Sequence, residues 1–193
     1  SQDGAVSLGT LPGQPHSWAW GVSNDGSVVV GSSGSTAPYG SPYGSKTVDH
    51  SAGQAFRWTS AGGMVGLGCL PGDTYSQGCG VSGDGSVVVG YSYRGPAVWL
   101  PGLGGTQAFR WTEAGGMVGL GYLPGGTSSR AFGVSADGGT VVGTGTSNGV
   151  PGTEAFRWTE ASGMVSLGAG YGSYAIACSG DGSIIVGYIL SQE

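Results

Sequence analysis

Residues 107–143, QAFRWTEAGGMVGLGYLPGGTSSRAFGVSADGGTVVG, contain every motif that recurs in this chain. An M/A-V-x-L-G motif places valines at positions 6, 65, 118 and 165, spaced by 59, 53 and 47 residues. An Asp-Gly motif begins at positions 25, 84, 137 and 181. A third motif, A-F-R-W-T, occurs three times, beginning at Ala55, Ala108 and Ala155. Self-similarity at such intervals indicates a protein built from repeated structural units.

Each repeat has the pattern of two β-hairpins. Asp-Gly between two β-branched runs is a strong hairpin signal, because the turn needs the positive φ that glycine adopts freely. Phe56 and Trp58 alternate with smaller or polar residues, as in a strand with two distinct faces. No segment has helical periodicity. The sequence therefore predicts an all-β repeat protein in which residues 1–193 form one domain, with insertion loops at about 32–53 and 91–106.

The hairpin segments resemble a known type of repeat. Segments 21–31, 80–90, 133–143 and 177–187 read GVSNDGSVVVG, GVSGDGSVVVG, GVSADGGTVVG and ACSGDGSIIVG. They are similar to the S-x-D-G hairpins of β-propellers, and together with EAFRWTEASGMVSLG they resemble the HAF repeat of secreted and cell-surface bacterial proteins. The resemblance implies an extracellular repeat protein, and it brings no catalytic residues with it.

The fourth A-F-R-W-T copy is missing, and this decides the predicted architecture. The resemblance to propellers implies four blades, the last shared between residues 5–9 and the two strands around the Asp181 turn. That blade would lack one strand, and its unpaired edge would invite a strand from a neighbouring copy, either the insertion around Ala97 to Leu100 or a terminal strand. Such head-to-tail pairing does not close on itself and generates a filament. The alternative is a blade whose edge is covered by the insertions.

Composition excludes some classes of function. Charged residues make up 9% of the chain, the net charge is −5, and Lys46 is the single lysine. Without a basic patch, nucleic-acid binding has little electrostatic support. The sequence contains no run of about 18 apolar residues, so it predicts no membrane span. The chain begins at Ser1, which fits a processed secreted protein.

Candidate chemical groups all have structural interpretations. Arg57, Arg110 and Arg157 could ring an anion, but their recurrence favours stacking or pairing within each repeat. The turn aspartates offer one carboxylate per turn, too few for calcium. His16 and His50 have no repeated partner. We therefore predict no catalytic, cofactor or metal site.

Two further sets of residues are singled out. Cys69 and Cys79 could form a disulfide, whereas Cys178 aligns with valines and is predicted to be buried. Aromatic and apolar residues of the insertions are predicted to contact a partner, because such side chains make good contacts: Tyr39, Tyr43, Tyr91, Tyr93, Ala97, Val98, Trp99 and Leu100.

The sequence thus predicts a non-catalytic extracellular structural subunit that self-assembles, into filaments, through its incomplete blade. The alternative is a monomeric secreted adhesion module that recognises a glycan or a protein through a propeller face or the tyrosine-rich loops. In either case the expected location is the cell surface or the extracellular space.

Overall fold

A computed structural model describes residues 4–34, 53–94 and 105–190. Within these ranges the protein is all-β, with fourteen strands and no helix. The strands of the first two repeats are β1 (His16–Val22), β2 (Val28–Gly34), β3 (Gly53–Thr59), β4 (Gly63–Gly66), β5 (Tyr75–Val81), β6 (Val87–Tyr93), β7 (Thr106–Thr112) and β8 (Gly116–Gly119). The remaining strands are β9 (Ser129–Val134), β10 (Val141–Ser147), β11 (Val150–Thr159), β12 (Gly163–Ser166), β13 (Ser173–Cys178) and β14 (Ile185–Ile189).

The strands form three complete units and one partial unit. Units 1, 2 and 3 are the antiparallel meanders β1–β4, β5–β8 and β9–β12, and unit 4 is the hairpin β13–β14. A single parallel pair, Gly53 with Tyr75, also joins β3 to β5. Four-stranded antiparallel units of this kind are propeller blades, so the predicted all-β, propeller-type repeat architecture is confirmed.

The A-F-R-W-T segment is the third strand of every complete unit, always in the same register. Its phenylalanine pairs with a glycine of the second strand: Phe56 with Gly31, Phe109 with Gly90 and Phe156 with Gly143. All three rings are fully buried. A Cβ on Gly31 would lie 2.8 Å from the Phe56 ring and 1.9 Å from a backbone oxygen, so this position must remain glycine.

The hydrophobic core lies between consecutive units. Val28, Val30 and Ala55 of unit 1 pack with Val88 and Phe109 of unit 2. The same positions recur one unit later, where Val87, Val89 and Ala108 pack with Val141 and Phe156. We call the side of each unit that packs on the following unit its front face, and the opposite side its rear face. Units 2 and 3 are therefore stabilised by two neighbours each and units 1 and 4 by one each, as in other repeat proteins.

The shared last blade is not present. Residues 5–9 form no strand, Val6 is 79% exposed, and β14 pairs with no described strand except β13. The reason is the linear order of the units: β1 contacts β5, β5 contacts β9 and β9 contacts β13, but no comparable contact joins β13 to β1 among the described residues. The N-terminal segment and β14 therefore belong to opposite ends of the array. Unit 4 consequently has two strands in the described residues, not the predicted three.

Regular strands extend into both ends of each predicted insertion. Strand β2 continues to Gly34 and β3 begins at Gly53, while β6 continues to Tyr93 and β7 begins at Thr106. Residues 35–52 and 95–104 lie outside the described part of the chain.

Two equivalent turn glycines provide a test of packing between units. Gly26 and Gly85 both have φ of 74°, but a Cβ on Gly26 would meet nothing within 4 Å, whereas one on Gly85 would lie 2.4 Å from Val28 Cγ2. Both alanine variants therefore carry the same backbone strain of about 1 kcal/mol. We expect Gly85→Ala to lower the free energy of unfolding by an additional 1 to 3 kcal/mol, roughly, through overpacking. Urea unfolding of the two variants measures the difference, and equal losses would contradict this account of the interface.

Candidate functional site

Of the predicted partner-contact residues, only Tyr91 and Tyr93 lie in the described part of the chain. Tyr39, Tyr43, Ala97, Val98, Trp99 and Leu100 lie outside it.

The sequence predicts Tyr91 and Tyr93 on an exposed loop, but the structure places them in β6, partly buried. The Tyr91 hydroxyl donates to Gln77 Oε1 at 3.0 Å, and the Arg130 guanidinium of unit 3 lies 5.3 Å from the Tyr91 ring centroid. Tyr93 packs on Tyr75, with ring centroids 4.6 Å apart. Burial raises the pKa of Tyr91 well above its ordinary value. Tyr91 therefore joins units 2 and 3, and Tyr93 packs within unit 2.

The cysteines are free thiols, so the predicted disulfide is not formed. Cys69 Sγ lies 3.7 Å from Ser76 Oγ. Burial raises the pKa of the Cys79 thiol to about 12.

The recurring arginines bind neighbouring turns. Arg57 Nε donates to the carbonyl of Gly85 at 3.2 Å, and Arg110 Nε donates to that of Gly138 at 3.3 Å. Each of these bonds joins the third strand of one unit to the Asp-Gly turn of the next. Arg157 donates instead to Thr140 Oγ1 of its own unit. The structural interpretation of the arginines is correct, although the acceptors are not the turn carboxylates.

The turn aspartates are occupied by hydrogen bonds within their own turns. Asp84 Oδ1 accepts from the Ser82 hydroxyl at 2.7 Å, from the Ser86 hydroxyl at 2.8 Å and from the Ser86 N–H at 3.0 Å. The Asp25 and Asp181 turns repeat this arrangement. No group of three or more His, Cys, Asp or Glu residues that could hold a metal occurs among the described residues.

These turns make stability depend on pH. The serine hydroxyl and backbone hydrogen bonds lower the pKa of Asp25, Asp84 and Asp181 from 3.8 to about 2, and also lower that of Asp137. A pKa lowered by folding contributes stability above the unfolded pKa, and that contribution is lost as the pH falls through the folded value. We expect the urea midpoint to fall between about pH 4 and pH 2. The fall should be smaller in Asp84→Asn, whose amide does not titrate; an unchanged acid profile in that variant would contradict this origin.

The front face of unit 4 is open. Ile184 is 64% exposed, whereas the equivalent Val28 and Val87 are 2% and 3% exposed. Val186 is 57% exposed, whereas the equivalent Val30 and Val89 are fully buried. The same side-chain positions are thus covered by the following unit everywhere except here.

The rear face of unit 1 is open in part. Phe56 on this face is fully buried, but Val22 is 59% exposed, whereas the equivalent Val81 and Val134 pack against the cores between units. The array therefore has two unlike apolar ends, one that normally receives a following unit and one that normally receives a preceding unit.

Backbone hydrogen bonds connect the turns of successive units in one series. The N–H of Asn24 donates to the carbonyl of Gly83 at 3.1 Å, that of Gly83 to Ala136 at 2.9 Å, and that of Ala136 to Gly180 at 2.9 Å. Within the described ranges, the series ends with the Gly180 N–H and the Asn24 carbonyl, which have no such partner.

Comparisons with known proteins add little to this geometry. No protein-family model matches the sequence, and no curated protein matches it. Among solved structures, the chain is similar to TolB from Acinetobacter baumannii, with 15% identity and a TM-score of 0.49. The match covers 82% of this chain and 33% of that one.

Sequence reasoning did not find the two open faces. The sequence aligns Ile184 and Val186 with the valines of other repeats, but alternation along a strand does not reveal which face receives a neighbour.

Within the described ranges there is no helix long and apolar enough to cross a membrane.

Proposed function

We propose that this protein is a non-catalytic structural subunit that assembles head to tail, with unit 4 of one copy docked on unit 1 of the next. One observation carries the proposal: Ile184 and Val186 are exposed at positions that every internal interface buries. Exposed apolar surface of this kind marks a site of protein contact.

The internal interfaces supply a geometry for this joint. A Cβ on Gly85 would meet Val28, and one on Gly138 would meet Val87. By the same repeat relation, the Gly26 turn of the next copy would lie on Ile184. Its open position, with no atom within 4 Å of an added Cβ, leaves room for that contact. The Gly180 N–H would then donate to the Asn24 carbonyl of the next copy and extend the series of turn hydrogen bonds.

The two ends are different surfaces, so the contact is heterologous. A heterologous contact that does not close into a ring propagates as a filament. With 9% charged residues, few ions must lose their hydration when such surfaces meet. The resemblance to HAF repeats supports an extracellular location for this assembly.

Disrupting each end separately tests the polarity of assembly. Val22→Asp and Val186→Asp each place a charge on one open face, at positions exposed enough to spare the fold. We expect each variant alone to sediment as a monomer, because a buried unpaired charge is costly. An equimolar mixture should form dimers and nothing larger, since each variant keeps the end that the other has lost. Analytical ultracentrifugation measures the masses.

A matched control is available on a complete unit. Val118 is 56% exposed on β8, away from both ends, so Val118→Asp should assemble like the wild-type chain into filaments visible by negative-stain electron microscopy. Monomeric wild-type protein over the accessible concentration range, or mixtures that never form dimers, would refute the proposal.

Ala177 should make the joint weaker than an internal interface. It occupies the position of Gly21, Gly80 and Gly133, and an added Cβ on Gly80 or Gly133 would lie 2.9 Å from a carbonyl oxygen of the next unit. At the joint, the Ala177 methyl would face the Trp20 carbonyl of the next copy in the same way. We expect Ala177→Gly to tighten dimerisation of the Val22→Asp and Val186→Asp pair roughly tenfold, by relieving overpacking. Weaker dimers would contradict this packing.

A second candidate function is a monomeric binding module. It is favoured by the aromatic row on β1, where His16 and Trp18 have ring centroids 5.7 Å apart and Trp20 is exposed. Aromatic faces of this kind suit sugar rings or a partner protein. Glycan or protein binding by a strictly monomeric chain, abolished by Trp20→Ala, would favour this function over assembly.

A further inference from the structure

We infer that the outer edge of β14 is a binding site for an extended partner strand with the pattern small residue, Phe, Arg, Trp, Thr. This inference deepens the proposed function. The part of the site at the rear of unit 1 rests on that function, because it requires two copies joined head to tail. The part at β14 lies within one molecule and can be tested on a monomer.

The complete units show how such a strand is received. In each of them the third strand pairs with the outer edge of the second, in one register: Gly143 faces Phe156, Val142 faces Arg157 and Val141 faces Trp158. The β14 equivalents are Gly187, Val186 and Ile185. Among the described residues, β14 pairs with β13 and no other strand. It therefore presents the same edge, in the same register, with no strand of residues 4–34, 53–94 or 105–190 on it.

The seat for the phenylalanine is preformed. Phe56, Phe109 and Phe156 are fully buried over glycines, and Gly187 leaves the same space above β14. Ile185 is already packed in a cluster with Val142 and Ala155 of unit 3. Its equivalent in unit 2, Val88, belongs to the cluster that contains Phe109. A phenylalanine on the incoming strand would thus extend a core that already exists, which favours binding through apolar burial.

The arginine of the strand also has an expected acceptor. Arg57 and Arg110 donate to the turn carbonyls of Gly85 and Gly138 in the following unit. In a head-to-tail joint, the equivalent acceptor is the Gly26 carbonyl of the next copy. The incoming strand would therefore hold the two subunits together as well as complete unit 4.

Unit 1 carries the other half of this site. Ser76, Ser129 and Ser173 accept the N–H of Ala55, Ala108 and Ala155 at 2.8 to 2.9 Å. Ser17 is their equivalent, and its hydroxyl donates to the Gly9 carbonyl at 2.7 Å as Ser129 does to Gly121. No alanine N–H reaches Ser17 in the described part of the chain.

The leucine that follows the fourth strand of each complete unit also has a hydrogen-bonding counterpart at the end of the array, and that counterpart lacks its acceptor. Leu67, Leu120 and Leu167 each donate their N–H to the carbonyl of the alanine that begins the A-F-R-W-T motif, at 2.8 to 2.9 Å. Leu8 is their equivalent and has no such acceptor among the described residues. Both sides of the joint therefore present hydrogen-bonding groups for one and the same missing strand. The three A-F-R-W-T segments of residues 1–193 already serve as third strands of their own units, so we assign the occupant to a partner protein that lends such a strand.

The test uses a synthetic peptide with the sequence of residues 153–160, TEAFRWTE, and the full-length Val22→Asp variant. That variant keeps β14 but cannot assemble, so binding reports the strand site alone. We expect saturable binding by fluorescence anisotropy. A peptide with Phe156→Asp should bind at least about tenfold more weakly, because the phenylalanine seat is apolar. Hydrogen exchange should show new protection in residues 185–189.

The matched control is a variant that supplies the missing strand itself. In this variant a second copy of residues 144–168 replaces residues 188–193. The added segment then follows Gly187 in the same way that the original follows Gly143. It should no longer bind the peptide, whereas the same extension with its Phe and Trp changed to Asp should still bind it.

The outcomes separate the two proposals. Absent binding, equal binding of both peptides, or protection elsewhere in the chain would overturn the strand site even if the wild-type chain forms filaments. Peptide binding to a chain whose wild type remains monomeric would support the strand site while refuting head-to-tail assembly. The wild-type chain could also lose peptide binding when it assembles without any added partner. That result would mean that neighbouring copies supply the strand, and it would overturn the assignment of a separate partner.

Discussion

The structure depends on one interaction, the packing of the front face of each unit on the rear face of the next. Val30 and Val89 are fully buried by it, and the fully buried rings of Phe109 and Phe156 fill the space between the sheets. Burial of apolar surface is the main favourable term in folding. Because this burial occurs between units, a unit at the end of the array leaves one of its faces without the partner that stabilises it.

The polar features of the repeat serve that same packing. The arginine of the third strand holds the turn of the next unit, and the serine of the first strand accepts the alanine N–H of the preceding unit. The turn aspartate fixes the shape of the hairpin whose glycine approaches the neighbouring valine. Groups that resemble ligand-binding residues in the sequence are thereby used within the fold.

Those ends differ in kind, and this difference gives the molecule a direction. Unit 4 presents Ile184 and Val186 on a face, together with a strand edge that no other described strand pairs, whereas unit 1 presents Val22 and the acceptor Ser17. In the proposed assembly, the two ends would use the same recognition chemistry as the internal interfaces. Ala177 would distinguish the proposed joint from those interfaces, since it adds a methyl group where the other units have glycine.

The sequence by itself determined the repeats, the hairpin turns and the all-β class, because these follow from local signals: Asp-Gly turns, β-branched runs and the alternation around Phe109. It also indicated that the arginines and aspartates are structural, from their recurrence. Tertiary structure decided that Tyr91 joins two units, that Cys69 and Cys79 remain free thiols, and that residues 5–9 do not complete unit 4. Each of these depends on the relative placement of whole units. Alternation along a strand shows that it has two faces, but only packing reveals which face is covered.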